Sequence, residues 1–113
     1  KNNIMLCERG VVTPHTHNTE SRSIIDIQAI PALNEYAPSV PVIVDPSHAT
    51  FKRRYISPIS RAAIAAGADG LLIEVHNDPE NAWVDPLQAI GFDEFIKLVK
   101  DLREVAKVLR KSV

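Results

Sequence analysis

Residues 41–50, PVIVDPSHAT, decide the fold of this 113-residue chain. The apolar run at 42–44 is β-branched throughout and follows a proline, which predicts a short strand buried on both faces. The run ends abruptly in a polar cluster that contains Asp45 and His48. The stretch therefore predicts a core strand that leads directly into a polar loop.

Two further apolar runs end in the same way. Residues 4–7 (IMLC) arrive at the polar residues ERG, and residues 71–73 (LLI) arrive at EVH. Each run predicts a strand that feeds a polar loop.

Helical segments separate these strands. Pro31 breaks any continuous helix in the segment before the central strand, so we expect a turn and then a short helix that starts near Pro31. The segment SPISRAAIAAG predicts a second helix, with Ser57 as its N-cap, Pro58 in the first turn and Gly67 just past its end.

A third helix closes the chain. Residues 93–112, DEFIKLVKDLREVAKVLRKS, place their apolar side chains at helical spacing, which predicts an amphipathic helix. Its acids lie early, and Lys107, Arg110 and Lys111 lie late, as the helix dipole favours.

The alternation of strand and helix predicts an α/β fold with a parallel sheet and right-handed crossovers. Three free-standing units would leave two open sheet edges. A doubly wound fold usually carries a glycine-rich phosphate loop, and this chain, with four glycines, has none. We therefore expect residues 1–113 to form one partial domain, three β/α units of a (β/α)8 TIM barrel.

Composition excludes several functional classes. The net charge is -1 and the basic residues do not gather into a block before the last helix, which argues against nucleic acid and anionic membranes as partners. Cys7 is the only cysteine, and the first residues do not resemble a signal peptide, so we expect a reducing, cytoplasmic location. The apolar runs fall far short of the about 20 residues that span a bilayer.

Polar residues at the three strand ends form the candidate site, because barrel enzymes carry their chemistry at the carboxyl ends of the strands. His48, Glu74 and Asp85 offer one imidazole and two carboxylates, a ligand set suited to divalent manganese, iron, cobalt or zinc. Arg9 adds the fork geometry that holds a phosphate or carboxylate bidentately. Glu8, Asp45 and His76 also lie at the strand ends, and Asp85 lies in the loop beyond the third strand.

Other interpretations of these residues stay open. His48 also fits a loop histidine bonded to backbone, and Asp85 also fits a turn cap before a proline. Cys7 lies within the first strand, which predicts a small buried hydrophobe. The histidines at 15 and 17 lie among polar residues and predict a solvated loop. The basic run at 52–54 fits either a solvated loop or a phosphate contact at a barrel mouth.

Four segments, IMLCERG, PVIVDPSHAT, SRAAIAAGADGLLIEVH and WVDPLQAIGFDEF, resemble in order and spacing the C-terminal portion of 3-deoxy-D-arabino-heptulosonate 7-phosphate (DAHP) synthase in its shorter microbial form. The resemblance covers nearly all of the chain. It implies the last three β/α units of a TIM barrel. The enzyme condenses phosphoenolpyruvate with erythrose 4-phosphate, the entry step of the shikimate pathway.

The resemblance also implies roles for individual residues. His48, Glu74 and Asp85 match the metal ligands of the family, and Arg9 matches an arginine that grips the phosphate of phosphoenolpyruvate, so Arg9 and His48 are the expected catalytic residues. The resemblance also implies that Arg53 and Arg54 contact a substrate phosphate. The family's fourth ligand is a cysteine of the first barrel strand, a region absent from this chain, and Cys7 is not its equivalent.

This sequence departs from the family in two places and is short, so other functions stay open. The segment VVTPHTHNTESRS is longer than the corresponding loop of relatives, and Pro86 stands where glycine is commoner. A full barrel needs roughly 250 residues, so we expect an incomplete enzyme that pairs with the missing barrel part or self-associates. The alternatives are an octulosonate synthase that uses arabinose 5-phosphate, a non-catalytic assembly module, and a detached barrel piece that pairs with another copy.

Overall fold

A computed structural model describes residues 3–14 and 23–109 of the chain. Its strands form one three-stranded parallel sheet in the order β1-β2-β3, which confirms the predicted α/β class with a parallel sheet. The strands are β1 (Leu6–Glu8), β2 (Val42–Val44) and β3 (Gly70–Leu71). The helices are α1 (Ala29–Tyr36), α2 (Pro46–Thr50), α3 (Arg53–Ala65) and α4 (Phe92–Val108), with a 3-10 turn at Pro79–Asn81.

The strand register brings the carboxyl ends of all three strands to one edge of the sheet. Glu8 pairs with Val44, and Val44 pairs with Leu71. Hydrogen bonding continues one residue further, because the Asp45 amide donates to the Glu8 carbonyl at 2.8 Å. The polar residues that follow the strands are thereby neighbours in space.

The hydrophobic core lies on one face of the sheet, between the strands and the helices. Val42 and Val44 are fully buried there, together with Ile30, Ile56, Ile64, Ile90, Leu98 and Leu102. On the opposite face, Ile43 is only half-buried and Cys7 is exposed. The prediction of a strand buried on both faces is therefore wrong for one face, and so is the prediction of a buried Cys7.

The predicted second helix has a different start. Helix α3 begins at Arg53, so Ser57 is not its N-cap, and Pro58 lies inside the helix. Proline removes one intrahelical hydrogen bond, which ordinarily ends a helix. Contacts of Arg53 with a distant loop stabilise the additional first turn, as described below. The end was predicted correctly, because Gly67 adopts φ +107 just beyond the helix.

Other boundaries are close to the predictions. Helix α1 starts at Ala29, near Pro31, and α4 starts at Phe92. The short helix α2 was not predicted, so His48 lies on a helix rather than in a loop. His15, His17, Arg110 and Lys111 lie outside the described residues. Within the described part of the chain, no helix has the length and apolar character to cross a membrane.

Gly10 allows the segment after β1 to approach helix α2 closely. Its φ is +102, and a Cβ atom at this position would lie 2.3 Å from the Ser23 Oγ and 3.0 Å from the Ala49 Cβ. Ser23 in turn donates a 2.9 Å hydrogen bond to the Ala49 carbonyl. The segment after β1 is thereby tied to the helix that carries His48.

We predict that Gly10→Ser lowers the free energy of unfolding by about 1–3 kcal/mol, because a side chain there is strained and clashes with Ser23. Gly91→Ser is the matched control: Gly91 is the N-cap of α4 with φ -77, and the nearest atom to its added Cβ lies 3.9 Å away. Urea denaturation of both variants checks the prediction, and equal midpoints would contradict it.

Candidate metal centre

Asp45 is fully buried at the end of β2, where it caps helix α2. Aspartate is a favoured N-cap and proline a favoured first helical residue, which explains why the chain turns into a helix at Asp45 and Pro46. The Asp45 Oδ1 accepts from the His48 amide at 2.9 Å. Its Oδ2 contacts the His48 Nδ1 at 2.7 Å and the Arg9 Nε at 3.2 Å. One buried carboxylate thus fixes two candidate functional side chains.

The contact with Asp45 determines which nitrogen of His48 is available. A carboxylate only accepts hydrogen bonds, so the Nδ1 of His48 is the donor in this pair. The Nε2 then faces the opposite way, 2.8 Å from the Glu74 Oε1 and 3.8 Å from the Asp85 Oδ2. Metal-binding histidines are commonly oriented by such a second carboxylate.

Glu74 follows β3 and is held through its backbone. Its amide donates to the Ser47 Oγ at 3.0 Å, and its carbonyl accepts from the Ile90 amide at 3.0 Å. Ser47 is fully buried on helix α2, next to His48 in the sequence. The short helix therefore positions the Glu74 backbone as well as the His48 ring.

Asp85 approaches from the loop between β3 and α4, in an uncommon backbone conformation. Its φ is +49, a left-handed value that non-glycine residues seldom adopt and that a following proline disfavours further. Such strain persists only where the surrounding structure enforces it, and it is concentrated at functional sites.

These three side chains form a group that suits a divalent cation. One ligand atom from each of His48, Glu74 and Asp85 lies within 4.8 Å of the others, and each residue is half-buried. One nitrogen and two carboxylate oxygens match the preferences of manganese, iron, cobalt and zinc, and three ligands leave positions open for water or substrate. The donor set therefore fits a catalytic rather than a closed structural site.

Arg9 lies beside this group through its contact with Asp45. Its side chain is 53% exposed, and its two terminal nitrogens have no partner among the described residues. An arginine anchored by Nε and open at the other end of its guanidinium can bind an anion bidentately.

The other predicted residues lie elsewhere. Arg53 donates to the carbonyls of Ala89 and Pro86 and pairs with Glu80, while Arg54 contacts the Tyr55 hydroxyl at 3.1 Å. The Glu8 Oε1 accepts from the Gly10 and Asp26 amides, and the His76 Nδ1 accepts from the Asp78 amide. The structure therefore brings His48, Glu74 and Asp85 together, with Asp45 and Arg9 beside them. It gives Glu8 and His76 backbone partners.

Cys7 lies on the exposed face of β1. Partial desolvation and the negative charge of Asp45 raise the pKa of its thiol, the Arg9 guanidinium opposes the shift, and Glu8 adds to it. The thiol is consequently less ionised at neutral pH than an ordinary cysteine, which makes it a weak nucleophile and metal ligand.

Two supporting residues were not identified from the sequence. Asp45 has no individual role in the sequence-based expectations, and Ser47 is absent from them. The signal for Asp45 was present, because aspartate before proline at a strand end predicts an N-cap. No sequence pattern indicated that Ser47 accepts from the Glu74 amide, since the two residues lie 27 positions apart.

Comparison with known proteins finds a matching family model and several similar proteins. The sequence model of the DAHP synthetase I family matches residues 1–111. The phospho-2-dehydro-3-deoxyheptonate aldolase of Thermotoga maritima is 41% identical over 110 residues, which cover 97% of this chain and 31% of that protein. The 2-dehydro-3-deoxyphosphooctonate aldolase of Desulfotalea psychrophila is 32% identical and covers 90% of this chain and 38% of that protein.

Solved structures agree with this similarity. The crystal structure of the Thermotoga maritima DAHP synthase superimposes with a TM-score of 0.83 at 40% identity, over 94% of this chain and 30% of that chain. A truncated form of the Thermotoga enzyme gives a TM-score of 0.84 over 94% of this chain and 39% of that chain. The present chain thus spans about a third of the length of these relatives.

We predict that Asp45→Asn weakens Mn²⁺ binding by about 10–100-fold, because the variant keeps the N-cap but loses the charged acceptor that orients His48. Electron paramagnetic resonance of free Mn²⁺ during titration gives the dissociation constant. Asp101→Asn is the control, because Asp101 pairs with Arg61 on helix α3. Equal affinities of the two variants would contradict the orienting role of Asp45.

Proposed function

This chain belongs to the DAHP synthetase I family, and on that premise we propose that it carries the metal ligands and a phosphate-binding arginine of a DAHP synthase. The proposed reaction condenses phosphoenolpyruvate with erythrose 4-phosphate and releases phosphate, the first step of the shikimate pathway. One observation carries the proposal: His48, Glu74 and Asp85 converge at one edge of the sheet, with Arg9 beside them.

We extend the proposal to the fold. Residues 1–113 are the last three β/α units of a (β/α)8 barrel, and together they form one partial domain. Two features support this assignment: Cys7 is exposed on a face that would line the barrel, and within the described residues β1 and β3 each pair only with β2. The whole Thermotoga relative is about three times as long as the part matched here. The other barrel units are therefore the proposed main binding partner of this chain.

The substrates are two anions that must approach against their mutual repulsion. The terminal nitrogens of Arg9 bind the phosphate of phosphoenolpyruvate, while Asp45 holds the Nε and so fixes the orientation of the fork. A fixed cation in a partly buried site offsets repulsion without reorganising during the reaction. Arg54 lies exposed on the first turn of α3. We propose that it contacts the second substrate phosphate.

The metal ligands complete the site. His48 offers its Nε2, Glu74 and Asp85 offer carboxylate oxygens, and Asp45 and Ser47 keep the first two in place. When bound, divalent manganese, iron, cobalt or zinc supplies a Lewis acid that polarises the aldehyde oxygen of erythrose 4-phosphate. In the overall reaction, C3 of phosphoenolpyruvate bonds to the aldehyde carbon, water adds at C2, and the bond between C2 and the phosphate oxygen breaks.

We predict that the isolated 113-residue chain binds Mn²⁺ but releases no phosphate from phosphoenolpyruvate and erythrose 4-phosphate above background. A chimera in which this chain replaces the matching segment of the Thermotoga enzyme should regain turnover, because the missing barrel units are restored. His48→Ala in the chimera should abolish that turnover, while Asp101→Asn should leave it unchanged.

Different outcomes separate the proposed function from its alternatives. Clear turnover by the isolated chain contradicts the fragment proposal, and a folded chimera without turnover contradicts the catalytic one. Faster turnover with arabinose 5-phosphate than with erythrose 4-phosphate assigns the chain to the octulosonate branch instead. A continuous phosphate-release assay, run with each aldose phosphate, distinguishes these three outcomes.

A further inference from the structure

The guanidinium of Arg53 hydrogen-bonds to the loop that carries Asp85. Its Nε donates to the Ala89 carbonyl at 2.6 Å, its Nη2 donates to the Pro86 carbonyl at 2.7 Å, and its Nη1 pairs with Glu80. The backbone amide of Arg53 also donates to the Leu87 carbonyl at 2.9 Å. One residue at the start of helix α3 therefore contacts the main chain at three positions of the segment 86–89.

That segment forms the turn that aims Asp85 at His48. The turn's own hydrogen bonds are longer: the Gln88 and Ala89 amides donate to the Asp85 carbonyl at 3.1 and 3.3 Å. The left-handed φ of Asp85 is energetically unfavourable, and the proline that follows makes it more so. An external constraint is therefore needed to keep the Asp85 carboxylate near the other two ligands.

Arg53 has the chemistry to supply that constraint. Hydrogen bonds from a charged guanidinium are shorter and stronger than neutral ones, and the planar fork fixes two carbonyls in a defined geometry. The Arg53 side chain is only 28% exposed, and Ala89 is buried, so water competes weakly for these contacts. The pair with Glu80, which is 79% exposed, contributes little by comparison.

We propose that Arg53 is a positioning residue, which holds the loop 85–89 in the strained conformation that presents Asp85 to the metal site. This inference rests on the proposed function and refines it, because the sequence predicted a substrate contact for Arg53, whereas its fork binds protein carbonyls. It also explains why α3 begins at Arg53, before the expected N-cap at Ser57.

The test compares three single variants of the 113-residue chain by Mn²⁺ titration. Arg53→Ala should weaken binding by about tenfold or more, the range seen when a supporting contact of a ligand is removed. Arg61→Ala is the control, because it removes a surface ion pair elsewhere on α3. This control should stay within about twofold of the parent affinity. Arg53→Lys should restore binding only in part, since an ammonium lacks the fork.

A double-variant experiment separates positioning from general destabilisation. With Asp85→Asn already in place, Arg53→Ala should cause no further loss of Mn²⁺ affinity, because the coupling runs through Asp85. Equal losses in both backgrounds would overturn the proposal, since they would show that Arg53 acts on the fold as a whole.

Hydrogen exchange gives a readout that needs no metal. The Gln88 and Ala89 amides should exchange faster in Arg53→Ala than in Arg61→Ala, because the turn around Asp85 opens more often. Unchanged exchange at both amides would overturn the role of Arg53. If instead the parent chain bound no Mn²⁺, the proposed function would fail, while the exchange data would still decide whether Arg53 holds the turn.

Discussion

The buried carboxylate of Asp45 is the constraint on which the site depends. A charge with no solvent access is tolerated only when its oxygens are paired, and here the partners are the His48 amide, the His48 ring and Arg9. Satisfying this one group therefore ends the central strand, starts helix α2 and orients two functional side chains. The same four residues, DPSH, also present Ser47 to the Glu74 amide.

Each candidate ligand has its own supporting contact from a different part of the chain. Asp45 holds His48, Ser47 holds the backbone of Glu74, and Arg53 contacts the loop of Asp85. Supporting contacts of this kind keep ligands in place before a metal arrives, which lowers the entropic cost of binding. The strands are short, but their parallel register is enough to bring the three strand ends to one edge of the sheet.

The sequence predicted the strands and the grouping of the three candidate ligands for a simple physical reason. Short β-branched runs that end in acids or histidines are visible without a structure, and the parallel topology fixes where their ends meet. Helix α2 was missed because five residues carry too little periodicity to be recognised. The start of α3 was wrong because Ser57 and Pro58 look like a cap locally, whereas Arg53 is held by residues more than 30 positions away. The prediction of a buried Cys7 was wrong because its strand face is exposed within the described residues, a face that the proposed barrel would cover.

The central claim is that His48, Glu74 and Asp85 surround one divalent cation. Anomalous diffraction at the manganese edge, from crystals of this chain grown with Mn²⁺, tests it most directly. The account predicts one dominant peak about 2.0–2.3 Å from the His48 Nε2 and from an oxygen of each carboxylate. A dominant peak at other carboxylates, or none near these three side chains, would contradict it.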